Sequence, residues 1–346
     1  MRGVMGRSYP DTGNERLGRA GGVLLLAAIL AALMLWPAPV MHAVPQQLPG
    51  GMVIKQATGR VVFCVTKDTI VIATADGGGP AGSRPPAIAP LGAGHVAVVL
   101  GAVDWTRRGA DKPAQLDAEL PAMAQQVVRS AAPADQLDQA NDIESIGVTL
   151  LEFVRPLISE IHYKLDLAAD EPLIELLLAG YTEGYGPEIW SLRYRVQQRN
   201  LGNDYWDTRP LRPAYYQLFP PEKGQPQTFV EAQYPTKLSP LGLLRATQSD
   251  AAIARIRNSS EEINEAVTAI LNGESKKAAA RPVADFLRAV IPVVAGSQAK
   301  MAIATVDAQF RFQWALAPED PQPLPTDTRP PEPERPSLRR AAPPAR

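Results

Sequence analysis

The sequence predicts an α+β domain in which two antiparallel sheets lie between two helical layers. Three observations predict it. Apolar runs rich in Val, Ile and Phe come in groups near the start, middle and end of the chain. Two groups of amphipathic segments with helical spacing separate them. The order is strands, helices, strands, helices, strand. That order lacks the strict βα alternation of a doubly wound parallel sheet.

Val53 to Val65 and Thr69 to Ala75 read as strands, with Lys67-Asp68 as the turn between them. Asp76 and the following GGGPAGSRPP read as a loop. No Gly-Lys-Ser/Thr follows Gly77 to Gly79, so these glycines lack the pattern of a phosphate cradle. His95 to Val103 is continuously apolar, as expected for a strand buried on both faces. Leu116 to Arg129 has helical spacing. Asp142 to Tyr163 carries the widest apolar stripe, from Ile143 through Leu150 and Val154 to Ile161, with Pro156 as an expected kink. Leu173 to Ala179 and Glu188 to Val196 predict a central hairpin around the glycines of Gly180 to Pro187.

Asn200 to Pro240 is irregular, rich in aromatics and proline, and reads as a surface excursion or a short strand-loop insert. Glu261 to Leu271 predicts a helix capped by Ser259 or Ser260, with Ser259 and Glu262 at capping-box spacing and Asn272-Gly273 as its stop. Arg281 to Val294 predicts another, with Pro282 in its first turn. Lys300 to Trp314 predicts a last strand, folded into a hairpin near Asp307.

The ends have different chemistry. Arg2, Arg7, Arg16 and Arg19 precede an apolar run from Val23 to Trp36, and Ala43 offers a cleavage site. That run has the length of a signal-peptide core and is shorter than a bilayer span. The expectation is a signal peptide over 1–43, a linker over 44–53, a domain over 54–316 with its insert at about 200–240, and a disordered proline-rich tail over 317–346. The mature protein is then exported, periplasmic or extracellular. The alternative is a single-pass anchor, in which an uncleaved N-terminal segment is the sole membrane contact.

Composition excludes several function classes. A formal net charge of −1 supplies no basic surface for nucleic acid. The single cysteine, Cys64, lies in an apolar strand and reads as core. Three histidines, His42, His95 and His162, stand far apart, which leaves neither a metal-ligand spacing nor a Ser-His-Asp arrangement to build on. No cofactor is expected.

The order of elements, with ATGRVVFCVTKDTIVIATADGG, GHVAVVLGAVDW and EPLIELLLAGYTEGYGPEIWSLRY, resembles the proteasome-type N-terminal nucleophile (Ntn) hydrolases across about Ile54 to Trp314. The resemblance implies a four-layer αββα sandwich. It also implies a threonine peptidase or amidase in which a freed N-terminal threonine, Thr58, is nucleophile and its amine is base. It makes Asp76 the carboxylate that holds a lysine at the start of the third strand. The sequence departs from the family twice. Ala57, not glycine, precedes Thr58, and no lysine occurs between Lys67 and Lys112, where Arg84 is the only cation before the strand. A catalytically inactive structural or binding subunit of the same fold, assembling as a homo-oligomer, is therefore the alternative to a peptide hydrolase. A second alternative is an unrelated exported α+β binding protein using Tyr205, Trp206, Tyr215 and Tyr216 as a ligand surface.

Overall fold

The computed structural model describes residues 52–76, 85–92, 94–107, 114–131, 139–182, 186–221, 229–234 and 242–318. The expected signal peptide, nearly all of the linker, the loop Gly77 to Gly79 and the tail from 319 onward lie outside the described residues.

The first antiparallel sheet is built on β5 (His95–Arg107), which pairs with β1 (Met52–Ala57), β4 (Ile88–Gly92), β6 (Ala114–Gln115) and β7 (Ile174–Thr182). It continues through β8 (Gly186–Tyr194) to β11 (Ala214–Phe219). The second sheet has the order β12-β2-β3-β13-β14, with β12 at Phe229–Tyr234, β2 at Gly59–Val65, β3 at Thr69–Asp76, β13 at Met301–Asp307 and β14 at Phe312–Leu316. The helices are α1 (Leu116–Ala131), α2 (Gln139–Ser159), α3 (Leu243–Ser249), α4 (Ala251–Arg257), α5 (Glu261–Leu271) and α6 (Ala280–Ala295).

Three apolar clusters follow from strand alternation. In β5, Ala97, Val99 and Trp105 join Leu120 of α1 and Leu150 and Val154 of α2. In β3, Val71 and Ala73 join Ile270 of α5 and Phe286 and Leu287 of α6. The remaining faces of the two sheets share one cluster, in which Phe63 and Ile72 meet Val96, Val98, Leu177 and Ile189. β5 is thus buried on both faces, as its continuous apolar run predicts. Each fully buried Val, Leu, Ile or Phe among these contributes about 1.5–3 kcal/mol relative to an exposed one.

Several sequence expectations are corrected. Val53 to Val65 is two strands, broken at Thr58, and they belong to different sheets. The stretch from Asn200, expected as a surface excursion or a short strand-loop insert, holds the end of β9 (Val196–Gly202) and three further strands, β10 (Tyr205–Pro210), β11 and β12. Two short helices, α3 and α4, precede α5. The side chain of Asp250 separates them by accepting from Ala252 N and Ile253 N at 2.7 and 3.3 Å. The capping box does not form. Ser260 is the N-cap of α5 without a side-chain bond, and Ser259 Oγ instead donates to Ile256 O at 2.7 Å. α2 stops at Ser159, four residues before Tyr163, and runs through Pro156.

The β9–β10 hairpin is fastened to the segment after α2 by the side chains of Gln198 and Thr208 and by a bond from Trp206 N to His162 O at 3.0 Å. Gln198 accepts from Leu165 N at 2.9 Å and donates to Tyr163 O and to Thr208 Oγ1, both at 2.9 Å. Thr208 Oγ1 donates in turn to Ile161 O at 2.6 Å. Gln198→Ala is expected to cost about 1–3 kcal/mol, because it strands partly buried groups. Urea unfolding measures it, with faster amide exchange confined to β9 and β10.

Candidate functional site

Thr58 is the single residue between β1 and β2. β1 pairs with β5 in the first sheet, whereas β2 pairs with β3 and β12 in the second. The chain therefore passes from one sheet to the other at Thr58. A glycine lies on each side of the passage. Ala57 pairs with Gly101, which has φ +95° and whose added Cβ would stand 2.4 Å from Leu173 O. Gly59 follows Thr58, and a Cβ there would stand 2.4 Å from Ala75 O and 2.6 Å from Pro86 Cδ. The bare backbone admits close neighbours on each side, Leu173 O beside Gly101 in the first sheet, and Ala75 O and Pro86 beside Gly59.

The Thr58 Oγ1 is buried and has no hydrogen-bond partner, and so is Thr74 Oγ1 on β3. An orphaned buried hydroxyl costs about 1–3 kcal/mol. Such groups are uncommon in folded proteins and call for a reason.

Strand register sets the neighbours. Gly59 pairs with Asp76 on one side and Tyr234 on the other. Asp76 N donates to Lys300 O at 3.0 Å, one step beyond the Ala75–Met301 pair. Tyr234, Gly59, Asp76 and Lys300 thus form one row across the second sheet. Directly opposed residues share a face. Two residues along each strand, Ala232, Val61 and Ala302 belong to the inter-sheet cluster, so the row lies on that face.

Other groups complete this end. Gln56 Nε2 donates to Tyr234 Oη at 3.3 Å. Burial pushes the Tyr234 phenol well above its ordinary range, and the Glu171 carboxylate raises it further. Tyr234 is therefore protonated at neutral pH. In the first sheet, Glu175 pairs with Leu100 and Arg193, one step inward from Gly101.

The two sequence-predicted site residues, Thr58 and Asp76, are brought together, flanking Gly59 across one strand pair. The third strand behaves differently from the family scheme. It begins at His95, opposite Gly180, six residues or about 20 Å along β5 from the Gly101 that pairs with Ala57. Its start lies at the far end of the sheet from Thr58. The cation next to Asp76 in the register is Lys300, from the approach to β13. Lys300, Tyr234, Glu171 and Glu175 lie more than 90 residues from Thr58 in sequence, and no spacing pattern marks them.

Cys64 is buried in β2, and burial pushes its thiol far above its ordinary range. His95 packs its ring against Gly180, and His162 stacks on Tyr205 with ring centroids 4.7 Å apart. Lys164 Nζ lies 6.0 Å from the Trp206 ring, so Tyr205 and Trp206 pack against the segment after α2, while Tyr215 and Tyr216 are exposed on β11. Among the described residues no group of three or more His, Cys, Asp or Glu could hold a metal ion, and no helix is long and apolar enough to cross a membrane. No protein-family model matches the sequence, and neither does any curated protein.

Proposed function

We propose that the chain is an exported hydrolase of peptide or amide bonds, with the four-layer sandwich of the proteasome-type Ntn hydrolases and with Thr58 as nucleophile. The observation that carries the reading is the buried, unpartnered Thr58 hydroxyl at the passage between the sheets, next in sequence to Gly59, which pairs with Asp76 in a row that Lys300 extends. The two helix-on-sheet clusters and the shared inter-sheet cluster support the layer order.

The chemistry needs no cofactor. Thr58 Oγ1 attacks the Ala57 carbonyl carbon, the C–N bond breaks, and the hydroxyl proton passes to the departing nitrogen. Water then hydrolyses the resulting ester, leaving an Ala57 carboxylate and a free Thr58 amine. That amine takes the Oγ1 proton when a substrate carbonyl is attacked and returns it to the leaving amine; water then cleaves the acyl ester on Oγ1, releasing the acid and restoring the hydroxyl. We assign to Lys300 the cationic role that the family gives to a third-strand lysine, with Asp76 beside it in the sheet.

The test is the mass of the mature protein under denaturing conditions. A chain beginning at Thr58 is expected. A chain beginning near Val44 and running unbroken through Ala57–Thr58 overturns the reading.

One observation favours the second reading, an inactive structural or binding subunit. All six residues of β1 pair with β5, so the uncut chain is already well satisfied through Ala57. An uncut chain that forms a defined oligomer in light scattering would support it.

A further inference from the structure

We propose that Arg193 and Tyr216 form a carboxylate-binding site on the inter-sheet face, held in shape by the buried Glu175. The Arg193–Tyr216 geometry stands whether or not Ala57–Thr58 is cut, while the peptide class of its ligand rests on the reading of Thr58 as nucleophile. Glu175 sits on β7 with its side chain 4% exposed, while the paired Arg193 on β8 is 38% exposed. A carboxylate taken out of water at this depth is costly unless it is paired and hydrogen-bonded. Glu175 Oε1 accepts from Ser191 Oγ at 2.5 Å and from Arg193 Nε at 3.0 Å. Ser191 is fully buried. Both bonds fall on the inner ends of the side chains.

The consequence is a fixed guanidinium. Its Nε edge is engaged from beneath, and its plane is steadied by Tyr216, whose ring centroid lies 5.1 Å from Arg193 Cζ. Tyr216 is 46% exposed on β11. The outer edge, with its two terminal nitrogens, has the fork that binds a carboxylate bidentately. Because the side chain is already held, little rotamer freedom remains to be lost on binding. Glu175 already offsets much of the Arg193 charge, so selectivity for a carboxylate comes from the two-point fork. Arg193 lies three strands across from β1 at the same end of the sheet, about 15 Å at ordinary strand spacing. An extended peptide covers that distance in about four or five residues. The ligand class is therefore an acidic peptide, recognised through a Glu or Asp side chain.

The test is fluorescence anisotropy on the full chain carrying Thr58→Ala, so that turnover plays no part. The probes are two labelled alanine-based hexapeptides differing by one Glu or Gln, with unlabelled glutarate as competitor. The Glu peptide is expected to bind about tenfold more tightly than the Gln peptide. Arg193→Gln should erase that preference, and Tyr216→Leu should reduce it. Tyr216 is exposed, so this variant keeps the test available should Arg193→Gln fail to fold. Competition by glutarate at the peptide's own affinity would assign the site to small dicarboxylates and overturn the peptide class. Equal binding of the two peptides, or binding of neither, overturns the proposal, as does a preference that persists in both variants.

Discussion

Thr58→Val is expected to do two opposite things. It should leave the Ala57–Thr58 bond intact and lower amide hydrolysis by about 10⁴-fold or more, because the variant has lost the attacking oxygen. It should also raise stability by about 1 kcal/mol. Valine keeps the shape of threonine, suits extended backbone, and removes a buried oxygen that has no partner. Denaturing mass spectrometry, turnover of a peptide amide and urea unfolding measure the three effects. Opposed changes in stability and activity mark a group retained for reaction at the expense of the fold. A variant that is destabilised and otherwise unchanged in processing would assign Thr58 to structure alone.

Gly101→Ala is expected to be the most damaging small substitution near the site. The residue has φ +95°, where L side chains are strained, and the new Cβ would stand 2.4 Å from Leu173 O. That oxygen is held in place, since it accepts from Ala102 N at 2.9 Å. The neighbour is backbone and cannot swing aside, so about 3 kcal/mol or more should be lost in urea unfolding. Gly147→Ala is the control. Its Cβ would approach the Leu192 Cδ2 methyl at 3.2 Å within α2, and helix propensity partly repays the crowding, so the change should stay within about 1 kcal/mol.

The sequence made some features legible because local pattern decides them. The bounds of α5 match the expected Glu261 to Leu271. The hairpin turn after Asp307 forms, and the apolar run of β5 is buried on both faces. Other features depend on pairing at long range. Nothing local distinguishes one long strand over Val53 to Val65 from two strands that part at Thr58, because both halves are extended and apolar. Between Asn200 and Pro240 the sequence allows a short strand-loop insert, but the bounds of β10 to β12 are not legible among prolines and aromatics that also start and end strands. Ser259 sits at capping-box spacing, yet its hydroxyl closes the end of the preceding helix instead. At the site, Thr58 and Asp76 were readable from their distance along one hairpin. Lys300 and Tyr234 reach the same row only through the β3–β13 and β2–β12 pairings, which no short motif encodes.

The pairing of β1 with β5 also bears on what a cut at Thr58 would produce. Six residues of ladder would still hold the upstream segment after the covalent link was gone. Processing would therefore yield a nicked, two-piece molecule, not a shortened one. Its N-terminal fragment would travel with the body through any native purification and part from it only on denaturation.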